Sequence, residues 1–171
     1  MDNFNVLLSE QELQKRIAEM AAQLDEDYHG KEIIVITILK GALYFTVDLT
    51  KKMKTPIILD TIHAHSYVGT ETSGSIKIQD DISTNITGKD VLIVEDIIDT
   101  GLTLNKIRDH ILAKSPASLK IAVLANKPDR RTVDVPIDYV GFEVPNKFIV
   151  GYGFDYDEKY RNLPYVGYVE K

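Results

Sequence analysis

Two predominantly apolar runs constrain the fold of this chain more than any other feature. Ile33–Leu39 and Val91–Val94 are rich in β-branched side chains and do not alternate between apolar and polar positions. Such runs are typical of parallel strands that are buried on both faces. Each run precedes a segment with a helical pattern, at Ala42–Met53 and Gly101–Lys114. This alternation predicts an α/β fold with a central parallel sheet flanked by helices.

The remaining segments fit the same class of fold. Ser9 and Glu12 form a capping box, which predicts a helix that ends near Gly30. Further strands are predicted at Ile57–Ala64, Ile76–Ile78, Leu119–Ala125, Asp138–Phe142 and Phe148–Tyr152. The polar segment His65–Ser75 is predicted to be an exposed, mobile loop between two strands. We find no linker and no repeat, so the sequence predicts one domain over residues 1–171.

Composition argues against several kinds of function. The chain carries 20 basic and 26 acidic residues, and the net charge of −6 disfavours non-specific binding to nucleic acid or to a membrane surface. It contains no cysteine, which excludes disulfides, thiolate metal sites and cysteine nucleophiles. The first ten residues lack a secretory signal, and no apolar run is long enough to span a membrane. We therefore expect a soluble protein of the cytoplasm.

The segment with the most chemical content follows the second apolar run. Glu95 and Asp96 carry carboxylates that suit sugar hydroxyls or a hydrated Mg²⁺. The turn Asp99–Thr103 places hydroxyls and backbone N–H groups at a helix start, where a monophosphate can bind. Taken alone, Asp99 or Thr100 could be an ordinary helix cap, and the acidic pair could be solvated strand-end charges. Three acidic groups at one strand end repel one another, however, and this favours a ligand site.

Four other segments carry candidate site residues, and each also has an ordinary structural interpretation. Lys40 and Gly41 close the first apolar run and could form a plain strand-end turn. The polar loop 65–75 could be a surface hairpin. Lys127 follows a predicted strand and could be a solvated charge, whereas the aromatic residues of 148–156 could belong to the core. The residues alone leave these alternatives open.

The segment 91–103 closely resembles the phosphoribosyl-pyrophosphate signature of the type I phosphoribosyltransferases. From about 32 to 167 the chain further resembles the 6-oxopurine branch of that family, the compact bacterial hypoxanthine–guanine phosphoribosyltransferases. The resemblance implies the type I phosphoribosyltransferase fold, with a small hood subdomain and a flexible loop over the reacting centre. It also implies Mg²⁺ as cofactor, a 6-oxopurine base and 5-phosphoribosyl-1-pyrophosphate as substrates, no nucleic-acid partner, and a homodimer or homotetramer.

The resemblance assigns one group of residues to phosphoribosyl pyrophosphate. These residues are Lys40, Gly41, Glu95, Asp96, Asp99, Thr100, Gly101, Thr103 and Arg161. Lys40 and Arg161 are implied to contact the pyrophosphate, and the Leu39–Lys40 peptide bond can be cis. Asp155 is implied as a direct ligand of Mg²⁺. Glu95 and Asp96 are implied to hold the ribose hydroxyls and metal-bound water.

A second group of residues is assigned by resemblance to the purine. Asp99 is the candidate general base that takes the purine proton. Lys127 is implied to donate to the 6-oxo group, and Phe148 to stack on the purine ring. The backbone of Ile149 is implied to read the edge of the base, with Asp155 nearby.

The resemblance also assigns Ser66 and Tyr67 to the flexible loop that closes over the site and excludes water. This chain has His65-Ser66-Tyr67-Val68-Gly69 where bacterial relatives often have Ser-Ser-Tyr-Gly. The Ser-Tyr pair is kept, whereas the residues around it differ. The contacts that this loop makes on closing can therefore differ from those of relatives.

The sequence thus predicts a purine-salvage transferase that converts hypoxanthine or guanine to IMP or GMP, with release of pyrophosphate. Two alternatives stay open. A xanthine-preferring enzyme of the same fold is compatible with Lys127, because xanthine also has a 6-oxo group. An RNA-binding regulator of the same fold would need a basic face, which the net charge of −6 disfavours.

Overall fold

A computed structural model describes residues 4–66 and 76–169 of the chain. The helices are α1 (Glu10–Asp27), α2 (Leu43–Lys52) and α3 (Leu102–Leu112), and a 3₁₀ turn covers Pro128–Arg130. The strands are β1 (Asn5–Leu8), β2 (Ile33–Leu39), β3 (Ile57–Ser66), β4 (Ile76–Asp80), β5 (Asp90–Ile98), β6 (Ser118–Asn126), β7 (Tyr139–Glu143), β8 (Ile149–Val150) and β9 (Val166–Tyr168). Within these described ranges, no helix has the length and apolar content that a membrane crossing requires.

Six strands form the central sheet in the order β4-β3-β2-β5-β6-β7. All neighbouring pairs are parallel except β3 and β4, which pair antiparallel. The predicted α/β class with a mostly parallel central sheet is confirmed. Ligands bind such sheets beyond the carboxyl ends of the strands, and β2, β5 and β6 are consecutive neighbours there.

The apolar runs are buried on both faces of the sheet, as predicted. In β2, Ile33 and Val35 pack into one hydrophobic core, whereas Ile34 and Ile36 pack into a second. The first core contains the buried side chains of α1 and α2, and the second contains those of α3. Helices therefore cover both faces of the sheet and remove its apolar surface from water.

The capping box predicted at the start of α1 is present. Ser9 Oγ accepts a hydrogen bond from the Glu12 N–H at 3.2 Å, and the Ser9 N–H donates to Glu12 Oε2 at 2.8 Å. The apolar stripe of the helix is buried, and it consists of Leu13, Ile17, Met20 and Leu24. This stripe packs α1 into the first core.

One strand boundary that matters for the site differs from the prediction. β5 continues to Ile98, so Glu95 and Asp96 lie within the strand rather than at its end. The cause is pairing with β6, in which Glu95 lies opposite Val123 and Ile98 lies opposite Asn126. Ladder hydrogen bonds thus extend the strand through residues whose own strand propensity is low.

The loop predicted at 65–75 begins later than expected. His65 and Ser66 belong to β3, where they pair with Lys77 and Ile76 of β4. Their assignment to the loop is therefore wrong, because antiparallel pairing carries the strand through polar residues. Residues 67–75, including Tyr67, lie outside the described part of the chain.

A second, smaller sheet contains β1, β9 and β8 in that order, and both of its pairings are antiparallel. Only β8 corresponds to a predicted strand, and it covers Ile149–Val150 rather than the whole of Phe148–Tyr152. Because β1 and β9 pair with each other, the two ends of the described chain lie side by side. The small sheet thereby fixes the position of the segment that follows β8.

Candidate active site

Three loops meet at the carboxyl edge of the central sheet. They follow β2, β5 and β6 and contain Lys40, Asp99 and Lys127, respectively. The Lys127 N–H donates to the Ile98 carbonyl at 3.0 Å, which joins the ends of β5 and β6. Because β5 lies between β2 and β6, its loop has one of the other two loops on each side. Residues that are far apart in the sequence are thus brought to one edge.

Glu95 is buried and Asp96 is half-buried. The Asp96 N–H donates to Glu95 Oε1 at 2.8 Å. Burial raises the pKa of Glu95 well above its ordinary value, and the adjacent Asp96 carboxylate raises it further. Burial also raises the pKa of Asp96, while hydrogen bonds and the charge of Arg161 act in the opposite direction. The interpretation of this pair as solvated strand-end charges is therefore wrong.

Gly41 lies where three segments of the chain come very close to one another. A Cβ atom on Gly41 would overlap the Asp96 carboxylate, and a Cβ atom on Gly153 would overlap the Gly41 carbonyl oxygen. Gly153 has a φ of +101°, a backbone conformation that favours glycine. The two glycines let the loop after β2 pack between β5 and the turn that contains Gly153. The Leu39–Lys40 peptide bond of this loop is cis.

Gly41→Ala is expected to weaken the binding of inorganic pyrophosphate by about tenfold or more. The added Cβ would displace either the Asp96 carboxylate or the loop after β2, and such overpacking costs about 1–3 kcal/mol. Isothermal titration calorimetry measures the affinity. Gly30→Ala is the control, since a Cβ on Gly30 meets open space, and the strain from its φ of +74° is confined to the turn before β2. Equal affinity in both variants would show that the loop position does not govern binding.

A network of charged side chains joins the loop after β2 to the segment 153–161. Lys40 Nζ lies 2.7 Å from Glu158 Oε2, and Arg161 Nη2 lies 3.1 Å from Glu158 Oε1. Arg161 Nη1 also donates to the Gly153 carbonyl at 2.7 Å and lies 3.4 Å from Asp155 Oδ1. The buried Nε of Arg161 donates to no acceptor within the described residues. Lys40, Asp155 and Arg161 were predicted site residues, whereas Glu158 was not.

Asp99 is held by two arginines that sequence reasoning missed. Its Oδ1 atom lies 3.2 Å from Arg130 Nε, an ion-pair contact without hydrogen-bond alignment. Arg131 Nε donates to the Asp99 carbonyl at 3.1 Å, and Arg131 Nη2 donates to Asn126 Oδ1 at 2.5 Å. The segment after β6 therefore positions the loop after β5. The pair Arg130-Arg131 follows Lys127 closely in the sequence, and this proximity was the available signal.

The start of α3 differs from an ordinary capped helix. Its N-cap is Gly101, which has a φ of +88° and provides no side-chain cap. Thr100 Oγ1 accepts a long hydrogen bond of 3.4 Å from the Leu102 N–H, and Thr103 is half-buried in the first turn. The interpretation of Asp99 as the helix cap is therefore wrong. Unpaired N–H groups in the first turn of a helix suit an anion.

Lys127 is only 7% exposed, so its interpretation as a solvated charge is wrong. Its Nζ donates to the Lys147 carbonyl at 2.6 Å. Burial lowers the pKa of Lys127, and the charge of Asp99 partly opposes that effect. The buried ammonium group thus lies within electrostatic range of Asp99. It ties the end of β6 to the segment that precedes β8.

The aromatic residues of 148–156 divide into two sets. Tyr152 and Phe154 follow the end of β8 and are buried in the core, which agrees with the core interpretation of these aromatic residues. Phe148 is 49% exposed, and its ring meets that of Tyr156 edge to face with centroids 5.6 Å apart. The exposed ring of Phe148 offers a surface on which a planar group can stack. Ile149 is buried, and its backbone is in β8.

The described part of this cleft contains individual carboxylates rather than a cluster of metal ligands. Among the described residues, no three histidine or acidic side chains converge on one point. Asp155 accepts a hydrogen bond from the Glu158 N–H at 2.9 Å, and its side chain is about one-third exposed. Mg²⁺ is usually held by one or two carboxylates together with substrate phosphates and water. The accessible Asp155 carboxylate fits that mode, and buried Glu95 does not fit the role of a direct ligand.

Comparison with known proteins places this geometry in context. Residues 5–157 match the model of the phosphoribosyl transferase domain family. The chain is 47% identical over 167 residues to a hypoxanthine-guanine phosphoribosyltransferase from Streptococcus thermophilus, covering 97% of this chain and 93% of that protein. It is 46% identical to a hypoxanthine-guanine-xanthine phosphoribosyltransferase from Tritrichomonas foetus, covering 97% of this chain and 91% of that protein.

Solved structures show the same similarity. A hypoxanthine-guanine phosphoribosyltransferase from Bacillus anthracis superimposes with a TM-score of 0.93 and is 46% identical in sequence. The match covers 99% of this chain and 100% of that chain. Both the order of the elements and their packing are therefore shared with that structure.

Proposed function

This chain belongs to the phosphoribosyltransferase family, and from that premise we propose that it is a purine-salvage enzyme. It transfers the 5-phosphoribosyl group of 5-phosphoribosyl-1-pyrophosphate to hypoxanthine or guanine, and the products are IMP or GMP and pyrophosphate. Two relatives that share 46–47% of their residues over nearly the full chain are named for this activity on hypoxanthine and guanine.

The observation that carries the proposal is a pair of buried polar atoms in the cleft that make no hydrogen bond within the described residues, one of them held only by the Arg130 ion pair. Three buried side-chain polar atoms have no hydrogen-bond partner among the described residues, and two of them are Asp99 Oδ1 and Arg161 Nε. Buried polar groups are rarely left unpaired, so such atoms indicate a partner that binds from outside. One is an acceptor beside a buried lysine, which suits a purine. The other is a donor in a cationic network, which suits a pyrophosphate.

The purine half of the site consists of Asp99, Lys127 and Phe148. The purine nitrogen that attacks ribose C1 must lose its proton to keep the new bond, and Asp99 is the general base that takes it. Lys127 donates to the 6-oxo group, and it penalises adenine because the 6-amino group of adenine is itself a donor. Phe148 stacks on the ring, and the backbone of Ile149 contacts the edge of the base.

The phosphoribosyl half of the site lies between the acidic pair and the cationic network. Breaking the bond at ribose C1 leaves positive charge on the sugar and negative charge on the departing pyrophosphate. Lys40 and Arg161 stabilise the leaving group by their charge. Glu95 and Asp96 hold the ribose hydroxyls, and the turn Thr100–Thr103 binds the 5-phosphate at the start of α3.

Mg²⁺ fits this half of the site, with Asp155 as the direct ligand. When bound, the cation neutralises the pyrophosphate and favours its departure. Asp155 stands beside Arg161, so one metal-binding carboxylate and one guanidinium face the same region. Glu95 and Asp96 would contact metal-bound water rather than the metal. A homodimer or homotetramer and a cytoplasmic location remain part of the proposal.

Removal of divalent cations is expected to abolish turnover almost completely, because Lys40 and Arg161 alone do not offset a pyrophosphate and the neighbouring carboxylates. Titration of a chelator during turnover, followed by restoration with Mg²⁺, measures this dependence. Asp155→Asn is expected to raise the Mg²⁺ concentration needed for half-maximal rate, whereas Asp157→Asn is the control. Substantial turnover in the chelator would contradict the metal requirement.

Turnover of hypoxanthine, guanine, xanthine and adenine in the presence of Mg²⁺ tests the proposed function. We expect formation of IMP and GMP with stoichiometric pyrophosphate and negligible use of adenine. The Tritrichomonas foetus relative carries xanthine in its name as well, so xanthine-preferring activity is the second candidate. Faster turnover of xanthine than of the other two bases would favour it. No turnover with any base would overturn both.

A further inference from the structure

Glu158 lies in the cleft, but it has no role in either the sequence predictions or the proposed mechanism. Its two carboxylate oxygens contact different cations, with Oε2 at 2.7 Å from Lys40 Nζ and Oε1 at 3.1 Å from Arg161 Nη2. Lys40 comes from the loop after β2 and Arg161 from a segment more than 100 residues later. One carboxylate therefore bridges the two side chains that the proposed function assigns to pyrophosphate.

The backbone presents Glu158 at the tip of a tight turn. Tyr156 and Lys159 close this turn through reciprocal N–H to carbonyl hydrogen bonds of 3.1 Å. Asp157 and Glu158 both have positive φ values, of 53° and 62°. The Glu158 side chain is 63% exposed, and the hydrogen bond from Lys40, followed by the charge of Arg161, lowers its pKa. Glu158 is thus a solvent-accessible anion that can leave the two cations without disrupting a packed core.

We propose that Glu158 is an internal placeholder for the pyrophosphate group, bound to Lys40 and Arg161 in the free protein and displaced when pyrophosphate arrives. The inference rests on the proposed function, because it needs those two cations to be the pyrophosphate site. The two oxygens of a carboxylate and two oxygens of a diphosphate both present negative charge to the same donors. The ammonium group of Lys40 and the guanidinium group of Arg161 cannot bind the Glu158 carboxylate and the diphosphate at full strength at the same time.

The placeholder has two consequences for the reaction. It keeps Lys40 and Arg161 oriented across the cleft before substrate binds, which limits the freedom of two long side chains. It also competes with pyrophosphate, so that binding is weaker and product leaves faster than from an unoccupied pair of cations. A pure positioning role predicts weaker binding when Glu158 is neutralised. The placeholder role predicts tighter binding.

Calorimetric titration of the full chain with inorganic pyrophosphate in the presence of Mg²⁺ distinguishes these roles. Glu158→Gln is expected to bind pyrophosphate roughly three- to thirtyfold more tightly than the unmodified protein, since two exposed ion pairs no longer compete. Asp157→Asn removes the same charge from the neighbouring residue and is expected to change the affinity less than twofold. In the Lys40→Met background, the gain from Glu158→Gln is expected to shrink.

The outcomes separate the placeholder from the proposed function. Binding by the unmodified protein with equal or weaker affinity in Glu158→Gln would overturn the placeholder and leave the proposed function standing. An equal gain in Asp157→Asn would also overturn it, because general charge would then explain the effect. Absence of pyrophosphate binding in every form would contradict the proposed function itself. Thermal unfolding of each variant verifies that the exposed substitutions leave the fold intact.

Discussion

Replacement of Asp99 by asparagine is expected to lower the turnover of hypoxanthine by on the order of 10²–10⁴-fold, because an amide cannot take the purine proton. The shape of the side chain is kept, so the loop after β5 should stay in place. Affinity for 5-phosphoribosyl-1-pyrophosphate is expected to change by less than about threefold. Steady-state kinetics with hypoxanthine and calorimetry with the sugar substrate measure the two effects separately.

The control for Asp99→Asn is Asp129→Asn. Asp129 is an exposed acidic residue in the 3₁₀ turn beside Arg130, so the substitution removes one nearby charge without touching Asp99. Turnover of this variant is expected to stay within about twofold of the unmodified protein. An Asp99→Asn enzyme with near-normal turnover would remove Asp99 from the mechanism. A large loss of sugar-substrate affinity would assign Asp99 to binding instead of proton transfer.

The sequence was sufficient for the central sheet because its signal is local. Ile33–Leu39 is apolar at every position but one, and only a strand covered on both faces accommodates such a run. The small sheet has no comparable signal. β1 and β9 are four and three residues long and pair across more than 150 residues of sequence. Their formation depends on tertiary packing, which the pattern within one segment does not contain.

The same distinction applies to the site. Glu95, Asp96 and Asp99 lie in one short motif, and the structure brings their segment to the predicted edge of the sheet. Arg130 and Glu158 escaped prediction because a charged residue in a loop is usually solvated. Their partners Asp99 and Lys40 lie 31 and 118 residues away in the sequence. A charged loop residue and its distant ionic partner can be recognised only in the folded chain, where the ends of neighbouring strands lie side by side.

Base selection provides the second large effect, and it depends on a residue whose burial was not predictable. Lys127→Met is expected to lower kcat/KM for hypoxanthine and guanine by on the order of 10²-fold, since a hydrogen bond to a charged group contributes about 1.5–3 kcal/mol. Methionine keeps the length of the buried side chain and removes the donor. The preference for hypoxanthine over adenine is expected to fall by a similar factor.

Lys147→Met is the matched control for Lys127→Met. The Lys147 carbonyl accepts the hydrogen bond from Lys127, while its own ammonium group lies 3.7 Å from the centre of the Tyr168 ring. The control therefore removes one lysine charge from the same region and keeps the backbone acceptor. It is expected to retain both the rate and the choice of base. If Lys127→Met still rejected adenine as strongly as the unmodified protein, the 6-oxo group would be read by another residue, and the donor role assigned to Lys127 would be wrong.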